Sequence, residues 1–160
     1  MVALTIMASG IYASQCVIKR INIIELCILL IKQFSCDIEY SNLPVNELIF
    51  NAFNNERFSD LEFVKYVYQN ESDNFTYKWK AAIKQFGKKN PLLKSDLNLL
   101  ESFGEKLGIN DSKHQVQLCE EYIKRFSGIY ETAISKKDEY MKMCRLVGAA
   151  TSIFFLIMML

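Results

Sequence analysis

His114 is the only histidine of this 160-residue chain, and its thiols are Cys16, Cys27, Cys36, Cys119 and Cys144. Metal centres and nucleophilic sites need imidazoles or thiolates in sets at ligand spacing. Here one His stands alone, and no two cysteines form a CxxC pair. A single His near a predicted helix start is a solvated side chain. The thiols read as reduced and mostly buried, as in a cytosolic setting. Glu120 and Glu121 are neighbours on a helix and point in different directions, so they form a wet face and not an acid–base pair. No phosphate-cradling glycine loop, dinucleotide fingerprint or nucleophile elbow occurs. The expectation is a protein with no catalytic residue, no cofactor and no metal. It is not an enzyme.

The distribution of charge says more. The 19 basic and 18 acidic side chains all lie between Lys19 and Arg145. Met1 to Ile18 and Leu146 to Leu160 carry none, which is the pattern of segments that must sit in lipid. We expect a membrane anchor over 1–18, a cytoplasmic helical domain over 19–145 and a second anchor over 146–160. Fifteen residues span only ~22 Å as a helix. Extending the second anchor back to Met141, with Lys142 and Arg145 snorkelling, brings it near the ~30 Å of a hydrocarbon core. Lys19 and Arg20 follow the first anchor, and Lys142 and Arg145 precede the second. Both clusters therefore flank the middle and place it in the cytoplasm. Three Asn-x-Ser/Thr triplets, at Asn70, Asn74 and Asn110, would accept glycans only on the other side. The near balance of charge in 19–145 argues against nucleic acid as a partner.

The elements between the anchors read as all-α. Ile21 to Glu39 is dense in Ile, Leu and Cys, forms a core helix continuous with the first anchor, and should stop near Asn42 ahead of Pro44. Pro44 suits the first turn of a short helix through Phe53. Ser59 to Glu62 has capping-box spacing and predicts a third helix with Leu61, Val64 and Tyr68 on one side. Phe58, Phe63, Tyr66 and Tyr68 exceed what one core face needs. They mark either a partner surface or a tightly buried helix. Asp73 or Asn74 opens a fourth helix facing Phe75, Trp79, Ile83 and Phe86 inward, and Gly87 with two lysines closes it. The fifth starts at Ser95 with a stripe of Leu97, Leu100, Phe103, Gly104 and Leu107, capped by Gly108. Asn110 or Asp111 caps the sixth, whose stripe of Val116, Cys119, Tyr122, Phe126, Ile129 and Ala133 runs on as a rod of about fifty residues into the last anchor.

One run carries a resemblance: Ser95-Asp96-Leu97, then Glu101-Ser102-Phe103-Gly104-Glu105-Lys106-Leu107-Gly108, then Asn110-Asp111 and Gln115. It resembles the signature of the stage III sporulation protein AB family. Glu39-Tyr40 before Leu43-Pro44, Trp79-Lys80-Ala81-Ala82, and Arg145-Leu146-Val147-Gly148 look like further family pieces in the right order. The polar first anchor, the Cys- and Ile-rich first helix and Val147 depart from the pattern. Within the run, Asp96, Phe103, Gly104, Leu107, Gly108, Asp111 and Gln115 are the motif residues, structural or partner-facing. Gly104 allows close helix approach, Gly108 closes a helix, and Asp111 puts a carboxylate at a helix N-terminus.

The resemblance implies a non-enzymatic membrane platform of endospore formation. Such a subunit belongs to the complex joining mother cell and forespore, on the mother-cell side of the engulfed forespore. Its bundle of about six helices would be similar to the cytoplasmic platform domain of type II secretion and type IV pilus systems. Its implied partners are a secretion-type ATPase (stage III sporulation protein AA), other membrane subunits of the complex and the lipid bilayer. Self-association is left open. Glu101 and Glu105, one turn apart and off the apolar stripe, are singled out for partner contact. The competing reading is a membrane-tethered helical adaptor or sensor unrelated to sporulation.

Overall fold

The computed structural model describes the backbone of residues 2–72, 74–109 and 111–159, and the side chains of 15–72, 74–109 and 111–137. Among the described residues every regular element is helical: α1 (Val2–Ser41), α2 (Val45–Phe53), a 3-10 turn (Glu56–Phe58), α3 (Glu62–Gln69), α4 (Phe75–Lys89), α5 (Lys94–Lys106) and α6 (Ser112–Met159). The two long rods, α1 and α6, pack along each other. Asn42, just past the end of α1, accepts a hydrogen bond from Ser112 at the start of α6, so the rods run antiparallel. Helices α2 to α5 are inserted between them in sequence, and α2 packs on α1 and α5 on α6.

The 3.6-residue period explains α1. Ile24, Cys27, Ile28, Ile31, Phe34 and Ile38 fall on one face, and all are buried. The helix ends where expected. Asn42 turns left-handed at φ +53°, a conformation Asn tolerates, and Pro44 follows. Pro44 sits one position earlier than expected. It is the residue before α2, and its carbonyl accepts the N–H groups of Glu47 and Leu48.

Three expectations need correction. Ser59 does not open α3, because it closes the 3-10 turn; α3 starts after Leu61, with no side-chain cap. Tyr68 is not on the core face, which consists of Leu61, Phe63, Val64 and Val67. Gly87 does not end α4, which continues to Lys89. A Cβ on Gly87 would lie 2.5 Å from Leu97 Cδ1, so the glycine is there for helix approach.

Five helices meet in a chain of aromatic contacts. Phe63 of α3 packs edge-on to Trp79 and Phe86 of α4, with ring centroids 5.4 and 5.3 Å apart. Trp79 meets Phe103 of α5 at 6.1 Å, and Phe103 meets Tyr122 of α6 at 5.2 Å and Phe34 of α1 at 6.5 Å. Each such pair adds about 0.5–1.5 kcal/mol beyond the area it buries. Phe103 is the hub.

Among the described residues no helix is long and apolar enough to cross a membrane. The expected anchors, 1–18 and 146–160, lie outside the residues whose side chains are described, except Gln15 to Ile18.

Candidate functional site

Asp96 sits in the first turn of α5 and is 1% exposed. Its two oxygens accept the Arg20 fork, Nε at 2.7 Å and Nη2 at 3.0 Å. One oxygen also accepts the Leu93 N–H at 3.0 Å, which satisfies a free donor at the start of the helix. The carboxylate is thereby neutralised and hydrogen-bonded inside the fold, the arrangement a buried charge requires. Arg20, read from sequence as a cation at the membrane edge, is committed to the protein, with 18% of its side chain exposed.

Gly104 and Phe103 stand on the same face of α5. A Cβ on Gly104 would fall 2.2 Å from Trp79 Cδ1, so only glycine admits the indole. The Trp79 Nε1–H donates to the Leu100 carbonyl at 2.7 Å, giving the buried ring its polar partner.

Leu107, Gly108, Asp111 and Gln115 build the α5–α6 turn. Leu107 is buried and its N–H closes the helix on the Phe103 carbonyl at 3.0 Å. Gly108 has φ +82°, and a Cβ there would meet Val45 Cγ2 at 2.5 Å. Its N–H is satisfied by the buried Gln115 side chain at 3.0 Å, which also donates to the Lys106 carbonyl at 3.4 Å. Asp111 precedes α6 and accepts from both the His114 N–H and the His114 ring. That hydrogen bond holds the Asp111 carboxyl below its usual range. His114 is exposed, as its sequence position suggested.

Five motif residues, Asp96, Phe103, Gly104, Leu107 and Gln115, are therefore buried, and each satisfies or packs a neighbour within the chain. Among the described residues no group of three or more His, Cys, Asp and Glu side chains is placed to hold a metal ion. The described thiols divide: Cys27 and Cys119 are buried, Cys16 is partly so and Cys36 is exposed. Burial pushes the Cys119 thiol up to about 12, and burial with the nearby Asp96 charge pushes Cys27 up as well. These are inert core thiols. Glu105, singled out for partner contact, is half-exposed and paired with Lys80 of α4, which raises the Lys80 pKa.

Of the aromatics that the sequence left between a partner surface and a buried helix, Phe58 and Phe63 are buried and Tyr68 is exposed; sequence reasoning missed its neighbours on α2. Phe50 and Phe53 of α2 and Tyr68 of α3 are 47%, 37% and 45% exposed. Tyr68 stacks on Phe53 at 4.5 Å and reaches Phe50 at 6.0 Å. The excess of aromatics in and around α3 signalled a surface of this kind, but placing Tyr68 on the same side as Leu61 and Val64 hid its contact with Phe50 and Phe53.

The described residues thus form an all-helical fold whose buried polar residues hold its own helices together. The family model described as stage III sporulation protein AB matches residues 1–160, the whole chain, and the chain belongs to that family. Its role is therefore in sporulation, which sets aside the adaptor reading unrelated to that process. No curated protein and no solved structure matches it.

Proposed function

We propose that the chain is a non-enzymatic membrane platform subunit of the complex joining mother cell and forespore, where it docks a secretion-type ATPase. The antiparallel pairing of α1 and α6 carries this reading. It brings the charge-free beginning of α1 and the charge-free end of α6 to the same end of the hairpin, as anchoring in one bilayer at both ends requires. The motif residues support it too, since those that are buried stabilise the bundle and leave binding to the surface. The aromatic patch of Phe50, Phe53 and Tyr68 lies on α2 and α3 and is exposed. Exposed clustered aromatics of this kind suit a protein partner. The likeness to secretion platforms belongs to the same proposal.

The test is capture of the ATPase, stage III sporulation protein AA, on membranes of sporulating cells with and without this chain, together with spore counts. Loss of the ATPase from membranes and loss of spores are expected on deletion. Phe53→Ser with Tyr68→Ser should release the ATPase while the protein itself stays at normal levels. An ATPase that remains membrane-bound without this chain would sink the platform reading.

A further inference from the structure

We propose that a groove between α1 and the end of α4 binds the phosphate headgroup of an anionic phospholipid. The groove has a volume of about 390 Å³, and Lys19 from α1 meets Lys88, Lys89, Asn90 and Pro91 there. It opens beside Gln15 and Cys16, in the last turn of the charge-free segment. A headgroup at the edge of that segment would lie at the level of these ammonium groups. This placement rests on the membrane attachment proposed above.

The charge balance of the groove favours an anion. Lys88 and Lys89 alone have an ordinary explanation, because cations in the last turn offset a helix dipole. Lys19 does not share it. It comes from another helix, and gathering three like charges is unfavourable without a counter-ion. Arg20 is already occupied by Asp96. The carboxylate found at the cluster is Glu62, 3.4 Å from Lys89 Nζ, which also donates to the Tyr66 hydroxyl at 2.8 Å. Hydrogen bonds from Tyr66 and Lys89 hold Glu62 below the usual carboxylate range, and the Lys19 charge adds to this. Glu62 is the carboxylate paired with Lys89 and felt by Lys19, and the groove itself is lined by three lysines and no carboxylate. The excess positive charge sits where a lipid phosphodiester would be.

Juxtamembrane lysines contribute on the order of fivefold each to binding of anionic lipid, so three give about a hundredfold. The experiment uses the full chain in a neutral detergent, titrated with phosphatidylglycerol or phosphatidylcholine, with bound lipid counted by native mass spectrometry. Phosphatidylglycerol should be retained and phosphatidylcholine not. Lys19→Gln, Lys88→Gln and Lys89→Gln together should lower retention about a hundredfold. Glu62→Gln, which keeps all three lysines and frees Lys89, should raise it. Lys113→Gln with Lys124→Gln, on the exposed face of α6, should change nothing. Equal binding of both lipids, or a triple variant that binds like the parent, overturns the proposal. So does displacement by millimolar inorganic phosphate, which would mark a site for small anions. Flotation with pure phosphatidylcholine vesicles tests the anchors separately: a chain that fails to float yet retains phosphatidylglycerol in detergent would lose its anchors and keep this groove.

Discussion

Arg20 and Asp96 form a two-point ion pair that ties the start of the charged part of α1 to the first turn of α5 across 76 positions of sequence. Removing one partner strands a buried charge, which costs about 3–5 kcal/mol. Asp96→Ala should lose most of that in urea unfolding, and it also frees the Leu93 N–H. Arg20→Lys should lose part of it, because an ammonium cannot make the fork. Replacing both, as Arg20→Met with Asp96→Leu, should recover much of the loss. Additive single-site effects would show that the pair is not coupled.

Gly104→Ala tests the approach of α5 to the indole. The added methyl overlaps Trp79, and overpacking of this kind costs about 1–3 kcal/mol. Trp79 is the only tryptophan, so the fluorescence comes from the ring that Gly104 admits. The emission should shift to the red as the ring is displaced from its bond to the Leu100 carbonyl. An unshifted spectrum with parental stability would mean that the helices separate freely here.

Gly108 carries two constraints that a double variant can separate. Its positive φ disfavours any side chain by about 1 kcal/mol, and a Cβ would also strike Val45. Gly108→Ala should destabilise the domain, and Gly108→Val should do so more. Adding Val45→Ala should relieve the clash and leave the backbone strain. Full recovery in Val45→Ala would show that φ contributes nothing.

These residues also show what the sequence could and could not reveal. Gly108 was legible because a glycine at the end of an apolar stripe, followed by a new helix cap, has one economical conformation. Asp111 was legible for the same local reason, and α1 and α6 because their periodicity is long. Gly87 looked like the same stop signal, yet its role is contact with Leu97 of another helix, which local pattern does not encode. The Ser59 capping box failed because Ser59 is used by the 3-10 turn that precedes α3. Arg20–Asp96 and Gly108–Gln115 depend on how helices are stacked, so neither partner could be assigned from spacing.

The buried thiols predict a loss of stability in alkali. A thiol in the unfolded chain titrates near ~8.5, whereas Cys119 in the fold is held up at about 12. With the folded value raised, its contribution is fully present below the unfolded value and is lost as pH rises from there towards the folded one. The loss is about 1.4 kcal/mol per pH unit, or about 2 kcal/mol at pH 10. Cys119→Ala should be less stable than the parent at pH 7 and should lose less between pH 7 and pH 10. Parallel losses in the two proteins would refute the shift. Iodoacetamide should meanwhile modify exposed Cys36 in the folded chain long before Cys27 or Cys119.

The topology of the proposed platform can be read with a single engineered thiol. Lys19, Lys142 and Arg145 border the charge-free segments, and basic residues beside a span stay in the cytoplasm. Arg20 stands beside Lys19 and counts on the same side. Lys113 is exposed at the start of α6, at the end of the hairpin opposite the charge-free segments. Lys113→Cys in a background without other cysteines should react with a membrane-permeant maleimide in intact cells and not with an impermeant one. After the cells are opened, both reagents should label it equally. Labelling of intact cells by the impermeant reagent would put the bundle on the outer face, where no cytoplasmic ATPase could reach the Phe50, Phe53 and Tyr68 patch.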